Sequence, residues 1–243
     1  VKQVSVGQDG KQLLVVSDGD ETTISADAIL VGYGRAPNVE GMGLEAAGVE
    51  YDLRHGVKVD DHLRTTNKRI YAAGDVCLDC KFTHTADATA RIVIQNALFW
   101  GRKKLSSLTI PWCTYTDPEI AHVGIYDHQA REKGMEVDTF TKLFADNDRA
   151  LAEGDVEGFV RVHVQKGTDR IVGATVVGAH AGDMISELSV AIAGKVGLGA
   201  IGGVIHPYPT LAEAIKGVGD MYSRTRLTPF TAGMLRRILK WRR

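Results

Sequence analysis

Short apolar runs separated by glycine turns open the chain, and Val4-Ser-Val6, Gln12 to Ser17 and Asp27-Ala-Ile-Leu-Val31 each read as a strand. From Arg35 to Asp61 the pattern is loop-like, apart from a helical patch near Leu44 to Ala47. The run from Thr65 to Asp75 holds a short strand that stops at Gly74-Asp75. A helix follows from about Phe82 to Trp100, carrying small or apolar residues at Ala86, Ala90, Ile94 and Ala97. Beyond Leu105 the pattern changes. A helix near Tyr126 to Lys133 precedes strands near Val137 to Phe144, Gly158 to Gln165 and Ile171 to Gly178, then a helix from about Gly182 to Val196 that buries Met184, Ile185, Leu188 and Ile192. Strands and helices grouped this way predict an α+β layer with an antiparallel sheet, and a domain boundary near residue 105.

The most informative stretch is His206-Pro207-Tyr208-Pro209-Thr210-Leu211-Ala212-Glu213. Each proline disfavours the α region for the residue before it, so His206 and Tyr208 are expected on extended backbone with their side chains displayed. Thr210 and Glu213 have the spacing of a capping box, and Leu211, Ile215, Val218 and Tyr222 recur at helical spacing beyond it. The run therefore predicts a rigid hook leading into an amphipathic helix. At the C-terminus, Gly233 to Arg243 groups Met234, Leu235, Ile238 and Leu239 opposite Arg236, Arg237 and Lys240. That pattern fits a docked terminal helix with a solvated basic face, with an anionic membrane surface as the alternative.

Composition narrows the classes. The 243 residues are 44% hydrophobic, enough to bury a sizeable core, and the formal net charge of −1 gives no electrostatic reason to expect nucleic acid. No apolar run reaches the ~18 residues of a membrane span, and a basic-then-apolar leader is lacking at the start. Three cysteines fit a reducing cytoplasm better than a disulfide scaffold. Cys77-Leu-Asp-Cys80 offers only two metal ligands, so no metal site is assigned. Gly197-Leu-Gly199-Ala-Ile-Gly202 matches a dinucleotide fingerprint by letter, but it follows a helix rather than a strand and is rejected as a nucleotide site. The chain starts at Val1 in what reads as the middle of a sheet, and is expected to be a fragment.

The hook resembles the C-terminal His-Pro-Thr…Glu signature of the flavin-dependent pyridine nucleotide-disulfide oxidoreductases, which include dihydrolipoamide dehydrogenase, glutathione reductase and mercuric reductase. Three other stretches resemble the same family. They are Gly32-Tyr33-Gly34-Arg35, where the chain leaves a nicotinamide-nucleotide domain; Tyr71-Ala-Ala-Gly74-Asp75, the second flavin-binding sequence; and Ile110 to Gly124 with Asp117-Pro118-Glu119, the opening of the dimerisation domain. The resemblance implies an α/β remnant of FAD- and NAD(P)-binding domains followed by an α+β dimerisation domain. Residues 1–34 would finish the nucleotide domain, 35–104 the flavin domain, and 105–243 the dimerisation domain.

It also implies site residues. Gly34 would lie beside the nucleotide, Gly74 would allow close backbone approach, and Asp75 would accept a hydrogen bond from the ribityl chain. Lys81, Phe82, Thr83 and His84 would form a helix start facing the flavin. Tyr208 stands where the family carries its catalytic histidine, with Glu213 downstream and His206 two residues earlier. A phenol is a poor base at neutral pH, which points towards the mercuric reductase-like branch and away from lipoamide chemistry, although the tail lacks that branch's vicinal cysteines. The implied parent is a homodimer using FAD and NAD(P)H on a small-molecule or metal acceptor. The glycine-rich flavin motif, the redox cysteines and the main nicotinamide fingerprint belong to an N-terminal half missing here, so this polypeptide alone is expected to be inactive. The alternatives are a dihydrolipoamide dehydrogenase fragment and a non-catalytic dimerisation module.

Overall fold

A computed structural model describes residues 1–7 and 10–242. Strands β1 (Gln3–Gly7), β2 (Gly10–Ser17) and β3 (Asp20–Ala26) pair antiparallel in that order. Asp27 to Val31, expected as a strand, is exposed coil. The β2–β3 ladder ends where Lys11 pairs with Ala26, and among the described residues no strand pairs with the residues beyond.

Residues 39–108 close a first hydrophobic core from Val39, Leu44, Val49, Val57, Leu63, Cys77, Leu78 and Ile92. The Leu44–Ala47 patch is a turn rather than a helix, and a two-strand ribbon, β4 (Tyr51–Asp52) with β5 (Gly56–Val57), follows it. Helix α1 (Thr83–Leu98) buries Thr85, Thr89, Ile92 and Asn96, while Ile94 faces outward. Polar residues line its inner face because they tie loops to the helix. The Asn96 amide donates to the carbonyls of His62 (3.2 Å) and Lys103 (2.9 Å), and its oxygen accepts from the Lys103 N–H.

The second core belongs to a five-stranded antiparallel sheet of β6 (Trp112–Thr114), β7 (Glu119–Gly124), β10 (Ile171–Gly178), β9 (Phe159–Gln165) and β8 (Val137–Leu143), in that spatial order. Period-two alternation places Ala121, Val123, Val160, Val162, Ala174 and Val176 on one face. There α4 (Ala181–Gly194) contributes Met184, Ile185 and Leu188, and α6 (Glu213–Thr225) contributes Ile215 and Val218. Two short helices were not predicted, α3 (Asp148–Glu153) and α5 (Leu198–Gly203), whereas α2 (Asp127–Glu132) was. The rejected glycine motif has a packing explanation. A Cβ on Gly202 would lie 2.9 Å from the backbone of Gly219, so α5 and α6 cross at a distance only glycine allows. Helix α7 (Pro229–Trp241) buries none of its residues, against the expectation of a docked helix; Arg243 lies outside the described residues.

Candidate functional site

Three of the predicted cofactor stretches converge on one side chain. Arg35, directly after Gly34, places Nη1 2.6 Å from the Lys81 carbonyl oxygen and 3.8 Å from Asp75 Oδ2. Gly34 itself has φ +98° with open space around it. Gly74 is buried at φ +74°, its N–H donating to Thr89 Oγ1 of α1 (3.1 Å), and a Cβ there would lie 3.0 Å from the Ala86 Cβ. The Gly-Asp turn therefore sits hard against α1, leaving the Asp75 carboxylate half-exposed.

At the start of α1, Phe82 is the N-cap residue and supplies no side-chain cap. The first N–H groups, from Thr83 onward, have no partner within the helix, and they mark its positive end. The Phe82 and His84 rings stack at 5.2 Å, His84 Nε2 lies 2.8 Å from the Pro111 carbonyl oxygen, and Lys81 Nζ donates to the Leu78 carbonyl. The Thr85 hydroxyl is buried without a hydrogen-bond partner among the described residues. Beside it a cleft of about 400 Å³ opens between α1 and the β6–α4 edge, lined by His84, Thr85, Trp112, Cys113, Tyr115 and Gly182 among others. Unsatisfied donors, an orphan hydroxyl and a carboxylate on a close-packed turn are groups able to hold a polar, partly aromatic ligand. The residues present thus fit a flavin.

The hook differs from its prediction. His206 is not displayed: its side chain is 6% exposed, Nε2 lies 2.9 Å from Glu187 Oε1 of α4, and Nδ1 faces the Val204 carbonyl oxygen at 3.2 Å. Tyr208 is exposed, and its hydroxyl donates to Asp148 Oδ2 at the start of α3 (2.9 Å), not to Glu213. That hydrogen bond, reinforced by the Asp148 charge, raises the phenol pKa above its ordinary value and keeps it protonated. The expected capping box does not form. The Thr210 hydroxyl donates to the Pro207 carbonyl (2.8 Å), so α6 begins only at Glu213, with Ala212 at its N-cap. Asn147, the N-cap of α3, donates to the Thr210 carbonyl (3.1 Å) and fixes the hook to that helix. No hydrogen bond or ion pair among the described residues joins the hook to the Arg35 cluster.

A family model described as the pyridine nucleotide-disulphide oxidoreductase dimerisation domain matches residues 110–218, and a second, described as pyridine nucleotide-disulphide oxidoreductase, matches residues 1–90. The chain belongs to the pyridine nucleotide-disulphide oxidoreductase family. Among its curated relatives are a mercuric reductase of Staphylococcus aureus, 36% identical over 87% of this chain and 39% of the relative, and a dihydrolipoyl dehydrogenase of Bacillus subtilis, 36% identical over 87% and 45%. Similar solved structures include LpdA from Mycobacterium tuberculosis, with TM-score 0.82, 25% identity and coverage of 91% of this chain and 48% of that one. A Cu(II) complex of the HOCl-induced flavoprotein disulfide reductase RclA from Escherichia coli has TM-score 0.78, 25% identity and coverage of 90% and 49%. The chain spans less than half the length of these relatives. As a family member it carries the expected antiparallel sheet in its dimerisation domain.

Sequence reasoning missed Arg35, Thr89, Asp148 and Glu187. For Asp148 a signal existed, since Asn147-Asp148 before Ala150-Leu-Ala-Glu153 is a helix-start pattern. Nothing local marks Arg35 or Glu187, whose partners lie 46 and 19 residues away. Cys77 is a buried thiol whose pKa burial pushes up to about 11, while Cys80 is exposed.

Proposed function

We propose that this chain is the C-terminal part of a homodimeric, cytoplasmic, FAD-dependent NAD(P)H oxidoreductase of mercuric reductase-like type, acting on a disulfide or metal acceptor. The observation that carries the reading is the convergence of Arg35, the Gly74-Asp75 turn and the Lys81 carbonyl at the uncapped start of α1. When bound, FAD supplies two-electron transfer between nicotinamide and acceptor. Asp75 would accept a hydrogen bond from its ribityl chain, the Thr83 and His84 amides would present positive potential to its ring, and Gly34 would lie beside the nucleotide. Arg35 holds Asp75 and the α1 approach in register. The similar proteins include a mercuric reductase and a reductase solved with Cu(II), which supports an acceptor class wider than disulfides.

In the dimer, Tyr208 and Glu213 face the partner's acceptor site. Asp148 keeps the phenol protonated, so Tyr208 serves as a hydrogen-bond donor rather than a base. His206, engaged at both nitrogens, anchors the hook to α4. Tyr208→Phe in the full-length protein leaves flavin reduction by NAD(P)H unchanged and lowers acceptor turnover roughly tenfold or more; stopped-flow and steady-state rates separate the two. Unchanged acceptor turnover removes Tyr208 from the chemistry. A second reading, a non-catalytic dimerisation module, is favoured by one observation: the sheet core closes within residues 113–222 without help from the flavin-side core.

A further inference from the structure

Helix α7 is specified locally yet buries none of its residues against the rest of the described chain. The Thr228 hydroxyl accepts the Thr231 N–H (3.3 Å), Pro229 occupies the first turn and Lys240 the last, all favourable end chemistry. None of its residues is buried, and Phe230 and Trp241 are 80% and 88% exposed. A helix of 13 residues without tertiary packing is marginal in water. Its stabilising surface must lie outside the chain.

At about 100° per residue, Phe230, Met234, Ile238 and Trp241 form one stripe, and Leu235 and Leu239 widen it to about half the circumference. Arg236, Arg237 and Lys240 occupy the remaining arc. From Met221 to Arg243 the sequence holds seven basic and no acidic side chains, leaving 22 basic against 30 acidic in residues 1–220. A protein groove takes a narrow stripe at i, i+3, i+4 and i+7. The broad apolar arc here, bordered by unpaired-sign cations and ending in an amphipathic tryptophan, suits a fluid surface instead. At a rise of ~1.5 Å per residue the helix is roughly 20 Å long, too short to cross a hydrocarbon core of ~30 Å, and no described helix is long and apolar enough to do so.

We propose that α7 is an interfacial helix that seats its apolar arc in the headgroup region of an anionic membrane, with its arginines and lysine towards the lipid phosphates. This does not depend on the flavin reading. The test is co-sedimentation of the full chain with vesicles of phosphatidylcholine alone and of equimolar phosphatidylcholine and phosphatidylglycerol. Binding to the anionic vesicles is expected to be roughly tenfold stronger and to weaken with salt. Leu235→Glu with Ile238→Glu should abolish it, and Arg236→Gln, Arg237→Gln and Lys240→Gln together should reduce it roughly tenfold, both with unchanged thermal unfolding because no core residue is touched. No pelleting with either vesicle overturns the proposal, as does equal pelleting with both. So does a double-glutamate variant that converts a dimer to a monomer in sedimentation velocity while vesicle binding stays absent, since α7 would then cover a second copy.

Discussion

Gly74→Ala is the substitution whose cost follows most directly from the geometry. Gly74 has φ +74°, where an L side chain costs ~1–2 kcal/mol. Its new methyl would lie 3.0 Å from the Ala86 Cβ and 3.4 Å from the Ala86 Cα, on a helix already held to this turn by the Gly74 N–H to Thr89 hydrogen bond. Neither partner has a flexible end to move aside, so the contact adds about 1 kcal/mol by overpacking. A total of ~2–3 kcal/mol corresponds to a fall in Tm of roughly 4–12 °C for a chain of this size. Gly34→Ala is the control, because Gly34 has φ +98° but nothing within 4 Å of the added atom. Thermal unfolding followed by circular dichroism compares the two. Equal Tm values for Gly74→Ala and Gly34→Ala would refute the close packing of the Gly-Asp turn on α1 as the reason glycine stands there.

Two further predictions concern buried titratable groups. His122 and His163, 2% and 3% exposed, lie on the sheet face opposite α4 and α6, where burial pushes both pKa values below their ordinary position; a charged His163 would further disfavour the charging of His122, Asp127 favours the charging of His163, and Arg161 opposes it. The unfolded chain therefore binds more protons than the native one below pH ~6.5, so stability is full above that value and declines on acidification, with a limiting slope of about 1.4 kcal/mol per pH unit for each histidine. Tm measured from pH 7.5 to 5 should fall in the parent and fall less steeply in His122→Gln; identical slopes would contradict the assignment. Second, iodoacetamide at pH 8 should alkylate Cys80 well before Cys77, whose thiol is buried and titrates at about 11. Peptide mass spectrometry showing Cys77 labelled first would show that the loop opens.

What could be read from the sequence is what its own periodicity encodes. The α4 positions Met184, Ile185 and Leu188 and the strands β8 to β10 lie where alternation and helical spacing put them, because each presents one continuous face to the sheet core. Asp27–Val31 reads equally well as a strand but pairs with no strand among the described residues, and pairing is not a property of one segment. The hook failed in a similar way. Thr210 and Glu213 have capping-box spacing, yet the Pro207 carbonyl takes the threonine hydroxyl, and Glu187 of α4 draws His206 inward. The site's organising contacts, Arg35 to Asp75 and Tyr208 to Asp148, span 40 and 60 residues and leave no local trace.

Whether this chain carries the flavin-binding face of its family is decided by the visible absorption spectrum of the purified chain before and after addition of FAD. Oxidised-flavin bands are expected to remain with the protein after gel filtration, and Asp75→Ala to weaken their retention. A protein that stays colourless after incubation with FAD, while folded and dimeric, would contradict it and leave the dimerisation module as the reading.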